Sequence, residues 1–108
     1  MNKNPFLSSD YKPNENTKKD VEKLHADGNS LDNIHLKYAD MENAKLVHAS
    51  MSNADLTRSN FSNASMYGAN LKGANLFKTI LEGANLKSAN FQDCNLLGAD
   101  FSNAKLNN

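Results

Sequence analysis

Hydrophobic residues recur at every fifth position along most of this chain. They stand at Leu31, Leu36, Met41, Leu46, Met51, Leu56, Phe61, Met66, Leu71, Leu76, Leu81, Leu86, Phe91, Leu96, Phe101 and Leu106, with no gap in the series. Two residues before each centre, from Ala39 onward, is a small residue: Ala39, Ala44, Ala49, Ala54, Ser59, Ala64, Ala69, Ala74, Thr79, Ala84, Ala89, Cys94, Ala99 and Ala104. The other positions are mostly Asn, Asp, Ser, Lys, Glu and Gly. A period of five fits neither regular element. An α-helix turns about 100° per residue, so successive centres would lie about 140° apart and form no stripe. A straight strand alternates faces, so every fifth residue would change sides. The pattern buries one set of residues only if the chain turns at each repeat, and such self-similarity marks a repeat architecture. The centre and the small residue two before it then point the same way, as in a short strand. The polar positions suit tight turns.

The unit A-(D/N)-(L/F)-x-x resembles that of the pentapeptide-repeat proteins. Good copies are Ala54-Asp55-Leu56, Ala69-Asn70-Leu71, Ala74-Asn75-Leu76, Ala84-Asn85-Leu86, Ala89-Asn90-Phe91 and Ala99-Asp100-Phe101. The match runs from Ala39 to Asn108, fourteen units of five, with a weaker start near Leu31. The resemblance implies an all-β fold, a right-handed quadrilateral β-helix with four repeats per coil and about four coils. Four repeats per coil sort the centres into stacks: Leu31/Met51/Leu71/Phe91, Leu36/Leu56/Leu76/Leu96, Met41/Phe61/Leu81/Phe101 and Leu46/Met66/Leu86/Leu106. All are apolar, and Leu36 through Phe101 are expected to form a core in which each centre contributes roughly 1.5–3 kcal/mol.

Residues 1–30 do not repeat and form a separate segment before the repeat domain at 31–108. Phe6, Leu7 and Tyr11, with Pro5 and Pro13 beside them, read as extended chain. Thr17 to Asp27 reads as a short helix, with Thr17 as N-cap, Asp20 as its capping-box partner and Gly28 as the stop. Val21, Leu24 and His25 share one face of it. A helix this short is marginal alone, so it is expected to cap the first coil, as terminal repeats need protection. The repeat runs on to Asn107-Asn108 with no matching device. An open coil end exposes unpaired backbone groups. A second subunit, further chain, or water and Lys105 are the alternatives for covering it.

Composition agrees with a solenoid. Hydrophobic content is 39% and mean hydropathy −0.67, low for a globular core but sufficient when two residues in five point inward. No apolar run approaches the ~18 residues of a membrane span, and the N-terminus lacks an apolar signal core. A cytoplasmic location is expected. Cys94, in the small inward series, is expected to be a buried structural thiol.

The residues suggest no chemistry. His25, His35 and His48 lack metal-ligand spacing with one another or with Cys94. Asp40 and Asp100 share a face but are separated by Asn60 and Ile80. Neither catalytic nor metal nor cofactor residues are assigned, and an enzyme is not expected. The family's best-known role is protection of DNA gyrase by acidic rods that resemble DNA. Here residues 31–108 balance Asp32, Asp40, Glu42, Asp55, Glu82, Asp93 and Asp100 against Lys37, Lys45, Arg58, Lys72, Lys78, Lys87 and Lys105. No acidic field is expected from that balance, and no basic stripe with interleaved aromatics for nucleic acid. The outward apolar residues stand out instead. Phe77, Leu97 and Ile80 form one predicted patch, and Val47 with Tyr67 a second. The favoured reading is a non-enzymatic protein-interaction or scaffold module, free-standing or the N-terminal cytoplasmic part of a larger, ion-channel-like protein. A homodimer through the C-terminal end or the Phe77/Leu97 patch is a further expectation. The alternative is a DNA-mimicking inhibitor of a type II topoisomerase.

Overall fold

The computed structural model describes residues 4–107. From Leu31 onward each unit of five makes one straight side and one turn. Isolated parallel bridges tie Asp40 to Asn60, Asn60 to Ile80 and Ile80 to Asp100, and the same register of twenty residues holds from His35↔Asp55 to Asn85↔Lys105. Four sides therefore complete one turn of a parallel solenoid. Side 1 is built on the Leu31 stack, side 2 on Leu36, side 3 on Met41 and side 4 on Leu46.

The repeat unit explains itself bond by bond. Each centre donates its N–H to the turn below (Leu71 N to Asn90 O, 2.9 Å), and each small residue's carbonyl accepts from that turn (Asn90 N to Ala69 O, 2.9 Å). The corner closes when the next small residue donates to the centre's carbonyl, as from Ala74 N to Leu71 O at 2.9 Å. Of the two residues between them, the second has positive φ, from Asn33 (67°) to Asn103 (58°). Gly68, Gly73, Gly83 and Gly98 hold this place where φ is 68–75°, a region that favours glycine and asparagine. Tyr38, His48, Arg58, Lys78 and Ser88 hold it too, at a steric cost that the turn register imposes.

The Asn or Asp before each centre has a specific job. Its Oδ1 accepts the outward N–H two residues on, which no neighbouring turn can reach. Asn60 accepts from Ser62 N at 2.9 Å, Asn90 from Gln92 N at 2.9 Å and Asp100 from Ser102 N at 2.9 Å. These are Asx turns, and they account for the polar letter in the repeat.

The core is a continuous column. Every centre from Leu31 to Leu86 is buried to 1% exposure or less, as is each residue two before it from Ile34 to Ala84. Ser59 and Thr79 enter this series because both hydroxyls donate to Leu56 O, at 2.6 and 2.7 Å. The expected core does not extend through the last turn. Phe91 and Phe101 are half-buried and Leu96 is 41% exposed, because nothing among the described residues lies beyond them. Cys94 belongs to the same turn and is likewise half-buried.

The N-terminal segment corrects two expectations. Pro5–Leu7 is a 3₁₀ turn, not extended chain, with Asn4 Oδ1 accepting Phe6 N–H at 2.9 Å. Helix α1 spans Thr17–Ala26, with Asn16 at the N-cap position and no side-chain cap bond. Thr17 is already inside the helix, because its hydroxyl is engaged elsewhere: it bonds Tyr11 OH (2.6 Å) and accepts Asn14 N–H (2.8 Å). The C-terminal stop has the expected form. Gly28 (φ 87°) donates to His25 O and Asn29 N to Leu24 O, the paired bonds of a Schellman motif.

Helix α1 lies on the first turn. Val21 is fully buried, Phe6 is 2% exposed, and Leu24 and Tyr11 pack on the same cluster as Leu31 and Ile34. The first turn's outer edge would otherwise leave backbone groups unpaired. Lys18, Glu22 and His25, spaced as one helical stripe, reach them. Lys18 Nζ donates to Glu42 O (3.0 Å), Lys45 N–H donates to Glu22 Oε2 (2.8 Å), and His25 Nε2 donates to Val47 O (2.8 Å). On side 2 His35 N–H donates to Phe6 O at 2.6 Å.

Candidate functional site: the outer faces

The interior is occupied by its own side chains, so functional chemistry falls to the outside. Two clefts adjoin the N-terminal segment, the second of them shared with side 2 of the repeats. One, of about 630 Å³, is lined by Asn4, Phe6, Asp20, Lys23, Leu24 and Asn29, and the other includes Tyr11, His35, Tyr38 and Asp55. Neither gathers a catalytic set. Among the described residues no three His, Cys, Asp or Glu side chains come together as a metal site.

The twenty-residue register sorts the charges by side. Side 3 carries Asp40, Glu42, Glu82 and Asp100 and no base. Side 4 carries Lys45, Lys87 and Lys105 and no acid. Side 2 carries Lys37, Arg58 and Lys78 against Asp55 alone. The expectation of no acidic field fails for this reason: neutrality of the whole conceals an acidic side between two basic ones. Asp100 is held below the usual carboxylate range, first by Ser102 Oγ (2.5 Å) and then by Ser102 N–H.

The predicted apolar residues sit among these charges. On side 2, Leu97 is 69% exposed, whereas Phe77 is half-buried beneath two cations. Arg58 lies 5.6 Å and Lys78 Nζ 5.4 Å from its ring centroid. Tyr38 stands on the same side, exposed, so bases and aromatics do interleave there. Ile80 is exposed in the acidic column of side 3, between Asn60 and Asp100. Val47 and Tyr67 are both exposed on side 4, where Tyr67 meets His48 edge-on at 5.5 Å and Val47's carbonyl binds α1. Cys94 Sγ donates to Leu71 O at 2.8 Å, and burial pushes its thiol pKa up. The stripe Lys18/Glu22/His25 was missed from sequence. Its spacing was visible, but its partners are backbone atoms that no letter encodes.

A parallel solenoid of five-residue sides, closed by Asx turns and left-handed corners, defines the class. The chain belongs to the pentapeptide-repeat family: the pattern for pentapeptide repeats matches in 8 copies over residues 34–73 and 69–108. It is similar to HetL of Nostoc sp. strain PCC 7120, a pentapeptide-repeat protein involved in heterocyst differentiation regulation, at 39% identity and a TM-score of 0.65. That match covers 67% of this chain and 34% of HetL. Alr5209, a pentapeptide-repeat protein of Nostoc PCC 7120, matches at 26% identity and a TM-score of 0.74, over 87% of this chain and 76% of its own. Rfr23 of Cyanothece 51142 matches at 28% identity and 0.55, over 72% and 60%. The chain thus spans about a third of HetL. No curated protein matches it significantly.

Proposed function

We propose that this chain is a non-enzymatic protein-interaction module. It acts as a rigid rod, the right-handed quadrilateral β-helix implied by its family, with α1 as N-terminal cap. The observation that carries this is the sorting of charge and exposed apolar residues onto separate flat sides. Side 2, with Lys37, Arg58, Lys78, Phe77 and Leu97, suits an acidic protein segment that brings an apolar anchor. The test compares wild type with Phe77→Asp/Leu97→Asp as bait in cell extract, with salt titration and identification of what binds. A defined acidic protein lost on mutation and weakened by salt supports the reading. The same set of proteins on both baits refutes it.

A second reading has one observation in its favour. The acidic strip of side 3 would let the rod imitate nucleic acid before a type II topoisomerase. A supercoiling assay with Asp40→Lys/Glu82→Lys as control discriminates. Inhibition by wild type that the variant lacks favours mimicry, and absence of inhibition removes it.

A further inference from the structure

Side 2 carries its bases in line. Lys37, Arg58 and Lys78 stand at the corner that follows the Leu36 stack, one on each of three successive turns, and Leu97 stands there on the fourth. All four side chains are exposed. Successive turns lie about 4.8 Å apart, so the three cations span about 10 Å and Leu97 is about 14 Å from Lys37 along the rod. Two of the cations are already held. Arg58 and Lys78 lie 5.6 and 5.4 Å from the Phe77 ring centroid, so part of the rotamer freedom that an ion pair costs is lost before a partner arrives. Asp55, the one acid of this side, has its Oδ1 taken by Thr57, whose N–H and hydroxyl donate at 3.1 and 2.6 Å.

The backbone decides what kind of segment fits. Every N–H from Asp55 to Arg58 and from Asn75 to Lys78 is already donated, to a neighbouring turn or, at Thr57 and Phe77, to an Asx oxygen. An extended partner laid on these turns would strip water from its own carbonyls and find no backbone donor for them. An α-helix satisfies its own backbone and brings only side chains.

We propose that side 2 receives an α-helix of a partner protein, lying along the rod, with acidic residues at i, i+4 and i+7 and an apolar residue at i+11. The inference rests on the reading of side 2 as the binding face and names the element that binds there. These four positions form one stripe of a helix. Residues i and i+7 are about 10.5 Å apart along the helix axis and i and i+11 about 16 Å, against about 10 and 14 Å between the matching turns of the rod. Differences of about 1–2 Å are taken up by the long flexible stems of lysine and arginine. One acid per helical turn therefore meets one cation per solenoid turn, and the apolar residue reaches Leu97. Side 4 lacks this register, because its second turn carries Tyr67 where a base would be needed. The acids of side 3 repel the same stripe.

The experiment is fluorescence anisotropy with a labelled alanine-based peptide of about twenty residues that carries the stripe. One control peptide scatters the same residues over all faces of the helix, and another places a proline at its centre. The 108-residue chain is used as wild type and as Arg58→Glu/Lys78→Glu, with circular dichroism to establish folding. The striped peptide is expected to bind wild type and to lose about tenfold or more against the variant, as both controls do against wild type, and to weaken as salt is raised. Equal binding of the three peptides overturns the helix and leaves side 2 as a face for an acidic partner. An acidic protein captured through side 2 from cell extract, beside a striped peptide that does not bind, has the same meaning. Binding of the striped peptide that Arg58→Glu/Lys78→Glu leaves unchanged overturns the proposal as well. A silent peptide together with an extract in which nothing depends on side 2 removes both the helix and the reading it rests on.

Discussion

Leu76 and Leu96 occupy the same repeat position in the same stack, twenty residues apart. Truncating each to alanine separates burial from sequence. Leu76 is fully buried, and its neighbours above and below are held by the ladder, so they close little of the space left. Its loss combines transfer and cavity terms, about 2–5 kcal/mol, centred near 3. Leu96 is 41% exposed and water fills any gap, so only part of the transfer term is at stake, about 1 kcal/mol. A difference of about 2 kcal/mol corresponds to a gap of roughly 8–16 °C in Tm for a domain of this size. The assay is thermal unfolding followed by circular dichroism, at a concentration low enough to keep the chain monomeric. Equal losses for both variants would refute the reasoning, since Leu96 would then be as shielded as Leu76. If equality emerges only at high concentration, the shielding comes from another copy.

Four further outcomes are expected. Ala74→Leu inserts bulk between Ala54 and Cys94 at a site 1% exposed and should cost about 1–3 kcal/mol in chemical denaturation. Glu22→Ala removes the acceptor for Lys45 N–H and should cost about 1 kcal/mol, while Glu22→Gln keeps most of that bond; denaturation curves of the pair decide it. Asp100 has a lowered pKa, so its contribution to stability is present above the unfolded carboxylate value and fades as pH falls through its folded one. Carboxyl NMR titration should find it depressed and find Ser102→Ala moving it part of the way back toward the ordinary carboxylate range, since Ser102 N–H remains. Cys94, with its thiol pKa raised by burial, should alkylate more slowly in the folded chain than in urea at the same pH; equal rates would mean that the last turn does not shield it.

The fold was legible because its rule is local and repeated. Every centre and every small residue states the same instruction, and errors at single positions such as Ile34 or Thr79 are outvoted. The N-terminal segment has no such redundancy. Thr17 looks like an N-cap because a threonine before a helix usually is one, but its hydroxyl is committed to Tyr11 and Asn14. Burial of Phe91, Leu96 and Phe101 was expected from their letters alone, although it depends on a neighbouring turn. The charge pattern was written in the sequence yet lost in the count. Asp40 and Asp100 are separated by a multiple of twenty, as are Glu42 and Glu82, so they fall on one side, while a sum over all residues erases that phase.

The two ends of the rod meet the same physical problem differently. Each turn of the solenoid is an edge until something pairs it, and the edges are not equivalent. The N-terminal edge presents a mixture in which carbonyls predominate, so side chains of both kinds are needed. Lys18 and His25 donate and Glu22 accepts, which one helical stripe supplies without further backbone. The edge facing the other way is the converse: each side offers one carbonyl and two N–H groups, as Ala69 O, Leu71 N and Gly73 N do toward the following turn. Carbonyls exceed N–H groups on the first edge by the same bonds that make N–H groups exceed carbonyls on the other, so neither edge is satisfied in full by a copy of itself, and at the N-terminal end Lys18, Glu22 and His25 take the place of a further turn.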